Sequence, residues 1–70
     1  MRMCLLKVYL DKGKLGKKLV AEEIALVTKE RGKIKLKNLE LEEISLYDVE
    51  IVLIDALNSV LLLKRGGNQT

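Results

Sequence analysis

Apolar residues recur with period two in several short stretches of this chain, and turn-forming residues separate the stretches. In Met3 to Leu10 (MCLLKVYL), Cys4, Leu6, Val8 and Leu10 fall on one face and Leu5, Lys7 and Tyr9 on the other, which predicts a first strand. Asp11 to Gly16 (DKGKLG), with two Gly and two Lys, predicts a turn or loop. Leu19 to Glu30 (LVAEEIALVTKE) fits neither period cleanly. Ala21-Glu22-Glu23 is good helix material, whereas Ile24, Leu26 and Thr28 alternate with Ala25, Val27 and Lys29. Lys33 to Lys37 (KIKLK) is the clearest strand, with Ile34 and Leu36 inward and Lys33, Lys35 and Lys37 outward. Arg31-Gly32 before it supplies the positive-φ residue of a tight hairpin. A hairpin over 24–37 favours strand for the doubtful segment.

Further on, Leu39, Leu41 and Ile44 sit among acids with an irregular step, which predicts a bulged strand. Val49 to Ile54 (VEIVLI) and Val60 to Leu63 (VLLL) are nearly continuous apolar runs, joined by the turn chemistry of Asp55 to Ser59. Neither run alternates, so both faces of these strands are expected to be covered. So short a chain has little material for that, and a second subunit is the simplest cover. Five or six short strands describe an all-β domain over residues 1–65: a small Sm/SH3-like barrel or a rolled antiparallel sheet. Residues 66–70 have nothing to bury and read as a loose tail.

The sequence has 70 residues, including one Cys and no His, Trp, Phe or Pro. A domain of this size buries only about 60% of its unfolded surface, so its core is thin. One Cys excludes an intrachain disulfide and fits a reducing, cytosolic setting. One Cys without His also excludes a closed zinc site within one chain, and Ser-His-Asp or Cys-His catalysis. No base, nucleophile pair or cofactor motif points to an enzyme. No apolar run approaches the length of a membrane-spanning helix, and there is no signal-peptide pattern. The Lys- and Glu-rich composition resembles that of thermophile proteins.

Net charge is +3, from 13 Lys and Arg against 10 Asp and Glu, but it is segregated along the chain. Residues 12–37 carry nine bases against three acids, and residues 38–55 carry six acids and no base. Two readings of the basic block stand side by side. One is an RNA-binding face built from Lys12, Lys14, Lys17, Lys18, Lys33, Lys35 and Lys37. The other is a solvated strand face that complements the acidic strand beside it. The only aromatics, Tyr9 and Tyr47, fall outside the block, where a nucleic-acid face would place stacking residues. The pairs Glu22-Glu23 and Glu42-Glu43 are poor acid–base pairs, because adjacent strand positions point to opposite faces.

Cys4 is the one soft nucleophile or metal ligand. By composition it reads first as a small buried apolar residue. Its place after Met3 adds a second possibility. With translation starting at Met3 and that Met removed, an N-terminal Cys4 would offer its amine, its thiolate and a backbone amide as a compact chelate. Two such chelates from two subunits suit a square-planar ion such as Ni²⁺ or Cu²⁺. As written, Met1-Arg2 place the α-amine away from Cys4 and leave thiolate and amide as donors.

The opening Met3-Cys4-Leu5-Leu6-Lys7-Val8-Tyr9-Leu10 resembles the start of the CooT family of small nickel-binding proteins. The likeness continues through Leu19 to Ala25, Gly32 to Leu36, Asn38-Leu39 and the apolar runs 49–54 and 60–64. The Met-Cys start with its Lys-Val pair is the specific part. The resemblance implies a barrel-like homodimer in which Cys4 near the two-fold axis binds one Ni²⁺ per dimer. It also implies an accessory role in maturing a nickel-dependent carbon monoxide dehydrogenase. Members of the family have also been described as RNA-binding proteins, by likeness to RNA-binding barrels. A docking role for the acidic segment 40–50 is a third reading.

Overall fold

A computed structural model describes residues 5–66 of the chain. Six strands carry the fold: β1 (Leu6–Asp11), β2 (Lys17–Glu30), β3 (Lys33–Asn38), β4 (Glu43–Tyr47), β5 (Val49–Asp55) and β6 (Val60–Arg65). One turn of 3-10 helix, Gly13–Leu15, is the only helical piece among the described residues. The strands form a single sheet in the order β4-β3-β2-β1-β6-β5. All neighbours are antiparallel except β1 and β6, which run parallel with Val8 opposite Leu61 and Leu10 opposite Leu63. The all-β expectation therefore holds, with two differences. The sheet is mixed rather than wholly antiparallel, and it stays open rather than closing into a barrel. Parallel pairing of the first and last strands brings together residues more than fifty positions apart in sequence, which no local pattern announces.

The two edge strands, β4 and β5, are consecutive in sequence and joined by Asp48 alone. Asp48 turns the corner with φ 57°. Its amide donates to the Gly32 carbonyl at 2.9 Å, and its carbonyl accepts from the Gly66 amide at 2.6 Å. The sheet thus curls until β5 touches β3. Gly66 belongs to this corner and not to a loose tail. A Cβ on Gly66 would lie 3.2 Å from the Asp48 carbonyl oxygen, a contact that few side chains tolerate. Residues 67–70, the rest of the expected tail, lie outside the described residues.

The concave face holds the core: Val8, Ile24, Ile34, Leu36, Val49, Leu61 and Leu63, with Leu6, Leu10 and Ile51 packed against them. Leu6, Val8 and Leu10 share the face read for them from the sequence, and Ile34 and Leu36 are inward as expected. The doubtful segment Leu19 to Glu30 lies within one long strand, and its pairing explains the mixed signal. Against β1, the register slips once around Val20 and again around Glu22-Glu23; against β3 it slips at Ala25. Each slip inserts a residue and switches the face that the following side chains present. Ile24 and Val27, three apart, therefore both face the core, which mimics helical spacing. The second slip carries its strain at Glu23, whose φ is 56°.

Two further expectations change. The bulged strand read over Leu39 to Ile44 is a tight turn followed by β4. Asn38 builds the turn: its Oδ1 accepts the amides of Glu40 at 2.9 Å and Glu42 at 3.0 Å, and its Nδ2 donates to Glu42 Oε1 at 2.8 Å. A side-chain oxygen that bonds the backbone two residues on is what makes Asn a turn former. Coverage of both faces holds for β6 only, where Leu61, Leu62 and Leu63 are all buried. β6 lies inside the sheet, between β1 and β5. β5 is an edge, with a bulge at Val52, and it leaves Val52, Leu53 and Ile54 46%, 50% and 61% exposed.

Candidate functional site

Cys4, the expected nickel ligand, lies outside the described residues. Leu5, immediately after it, lines a small cleft of about 170 Å³ with Glu23, Asn38, Leu39 and Glu40. This cleft sits where the chain enters β1, beside the strained Glu23 bulge and the Asn38 turn. No group of three or more His, Cys, Asp or Glu converges among the described residues. Leu5 and Leu6, the first described residues after Cys4 in sequence, lead into the central strand β1.

The seven lysines of the basic block separate into two groups. Lys33, Lys35 and Lys37 project from the convex side of β3, as their alternation with buried Ile34 and Leu36 requires. Acids on the neighbouring strands meet them. Lys35 lies 3.2 Å from Glu30 of β2 and 4.0 Å from Glu43 of β4. Lys33 lies 3.6 Å from Glu30, and Lys37 lies 3.8 Å from Glu43. The Lys33 ammonium also stands 5.7 Å from the centre of the Tyr47 ring. The hydrogen bond from Lys35 holds the Glu30 carboxyl below its ordinary value, and the same bond raises Lys35. This stretch is thus a ladder of alternating charge, with much of its positive field cancelled at the surface. The cross-strand complement weighed in the sequence is present in this ladder.

Lys12, Lys14, Lys17 and Lys18 are all exposed around the 3-10 turn between β1 and β2. The turn is built by Asp11, whose Oδ1 accepts the Gly13 amide at 2.8 Å. Gly13 and Gly16 hold φ 67° and 84°, values that Gly adopts without a Cβ clash. Parallel pairing of β1 with β6 sets Lys64 opposite Asp11, so Lys64 and Arg65 join this end. Among the described residues, no ion pair forms on Lys12, Lys14, Lys17, Lys18, Lys64 or Arg65. Lys64 and Arg65 are what sequence reading missed. Their chain neighbours are apolar strand residues, and only the non-local pairing gathers them here.

No protein-family model matches the chain, and no curated protein matches it significantly in sequence.

Proposed function

We propose that the chain is a nickel-handling homodimer that binds Ni²⁺ through Cys4 and serves as an accessory to a nickel enzyme such as carbon monoxide dehydrogenase. The observation that carries this reading is the Met3-Cys4 start with Lys7-Val8, the stretch that resembles CooT proteins, running directly into the central strand β1. The thiolate and adjoining backbone nitrogen of two subunits together supply the donors that a single chain with one Cys lacks. Ni²⁺ accepts such a nitrogen and thiolate set. The thiol loses its proton on binding, so affinity rises with pH.

The dimer is supported by the two open edges. Ile44 on β4 and Val52, Leu53 and Ile54 on β5 expose apolar side chains along edges that pair with no further strand among the described residues. Edge strands of this kind are templates for pairing with another chain.

The test is a Ni²⁺ titration, read by thiolate-to-metal absorption, of the chain as written and of a chain started at Met3, with intact mass to establish N-terminal processing. About one Ni²⁺ per two chains is expected, tighter for the form that begins at Cys4 and lost in Cys4→Ala. Equal Ni²⁺ binding by Cys4→Ala would overturn the reading.

A further inference from the structure

We propose that the end of the sheet carrying the 3-10 turn is a binding site for a small phosphorylated organic molecule, a phosphate monoester bearing an apolar or heterocyclic group. This site is independent of the nickel reading and lies away from the Leu5 cleft. The observation is an open cavity of about 500 Å³, lined by Leu10 and Leu15 on the apolar side and by Lys12, Lys64 and Arg65 on the charged side. That volume falls in the usual range for small-molecule sites, roughly 300–1,000 Å³. An apolar wall with a few convergent cations is the lining such sites show.

Three features favour this ligand class. The cations at this end have no acidic partner in an ion pair among the described residues, whereas Lys33, Lys35 and Lys37 do. The Arg65 guanidinium suits two oxygens of one phosphate, and the lysines add point charges to it. Leu15 is 81% exposed at the tip of a lysine-rich turn, an apolar contact for the organic part of a ligand. Asp11, the one acid in the lining, is held by the Gly13 amide, and a ligand hydroxyl can donate to its other oxygen. A nucleic-acid strand would need a longer track of free cations, usually with aromatic platforms. Here the cavity offers three cations, Lys12, Lys64 and Arg65, and no aromatic residue lines it.

The experiment is a titration of the ¹⁵N-labelled full chain with adenosine monophosphate, inorganic phosphate and a ten-nucleotide oligouridylate at low and moderate salt. Adenosine monophosphate is expected to shift the amides of Lys12 to Leu15 and of Lys64 and Arg65, and to bind at least five-fold tighter than inorganic phosphate. The double variant Lys64→Glu, Arg65→Glu is expected to weaken it at least ten-fold. Both sites are exposed, so the spectrum elsewhere and the Ni²⁺ titration should be unchanged. Equal binding of inorganic phosphate would overturn the organic part of the proposal. Shifts confined to the Lys33–Lys37 face, binding of oligouridylate alone, or no shift at millimolar ligand would overturn the site.

Discussion

Lys33 to Lys37 and Lys12 to Lys18 belong to one basic block in the sequence, yet the fold treats them oppositely. β3 lies between β2 and β4, so its convex lysines meet Glu30 on one side and Glu43 on the other. The turn after β1 projects from the end of the sheet, where the added neighbours, Lys64 and Arg65, are basic too. The same residue type therefore makes a cross-strand ladder in one place and, in the other, a basic end whose cations form no ion pair among the described residues. What decides is strand order and not local composition. A charge run read along the chain has to be re-read across the sheet before it implies a partner.

The comparison breaks most severely if β3 itself is loosened. Leu36 is fully buried beneath the ladder, and Leu36→Ala is expected to cost about 2–5 kcal/mol, measured by urea denaturation. A loss below 1 kcal/mol would mean that β3 is not held by the core. The next largest effect is on charge. Glu43→Lys removes the acid that Lys35 and Lys37 share and should move the protein to higher salt on a heparin column. Lys12→Gln with Lys14→Gln should move it to lower salt, and by more than Lys35→Gln with Lys37→Gln. Equal shifts from the two lysine pairs would erase the distinction between the regions.

A smaller effect concerns the turn that aligns β4 with β3. Leu41 holds φ 66° and is 76% exposed. Leu41→Gly relieves a left-handed conformation that costs a non-glycine residue about 1–2 kcal/mol, against the extra entropy that Gly brings to the unfolded chain. A net gain of about 0.5–1 kcal/mol is expected from denaturant melts, with the ladder kept.

The smallest effect is on pH dependence. Because Glu30 is lowered in the fold, its contribution is complete above its ordinary value of 4.5 and is lost as pH falls through the lowered value. Because Lys35 is raised, its contribution is complete below 10.5 and is lost as pH rises through the raised value. Thermal melts across pH should therefore show Glu30→Gln flattening the acid limb, while Lys12→Gln leaves it unchanged.

Much of this architecture is legible in the residues. KIKLK gives its strand and its two faces, Gly32 gives the hairpin at φ 72°, and Asp55 to Ser59 gives the turn in which Asp55 accepts from the Asn58 amide and side chain. Elsewhere the local pattern misleads for a definite reason. The three slips in β2 scramble its alternation, and the Val52 bulge does the same in β5. Asn38 turns what reads as a bulged strand into a corner. The cavity at the 3-10 turn is only half visible in the sequence: Lys12 stands in the lysine-rich turn, but Lys64 and Arg65 arrive through a pairing set by the whole sheet.

That pairing also bears on how the protein is made. Of the described strands, β1 is synthesised before the others, yet it sits in the middle of the finished sheet beside β6, which follows them all in the chain. Val8 therefore waits, with its parallel partner Leu61 still to be synthesised. The hairpin of β2 and β3 can form early, but the core closes only when synthesis has passed β6. Contacts of such long sequence separation fold slowly. Until then the nascent chain exposes the apolar face of β1, which makes this strand the point at which a chaperone or a neighbouring copy would first take hold.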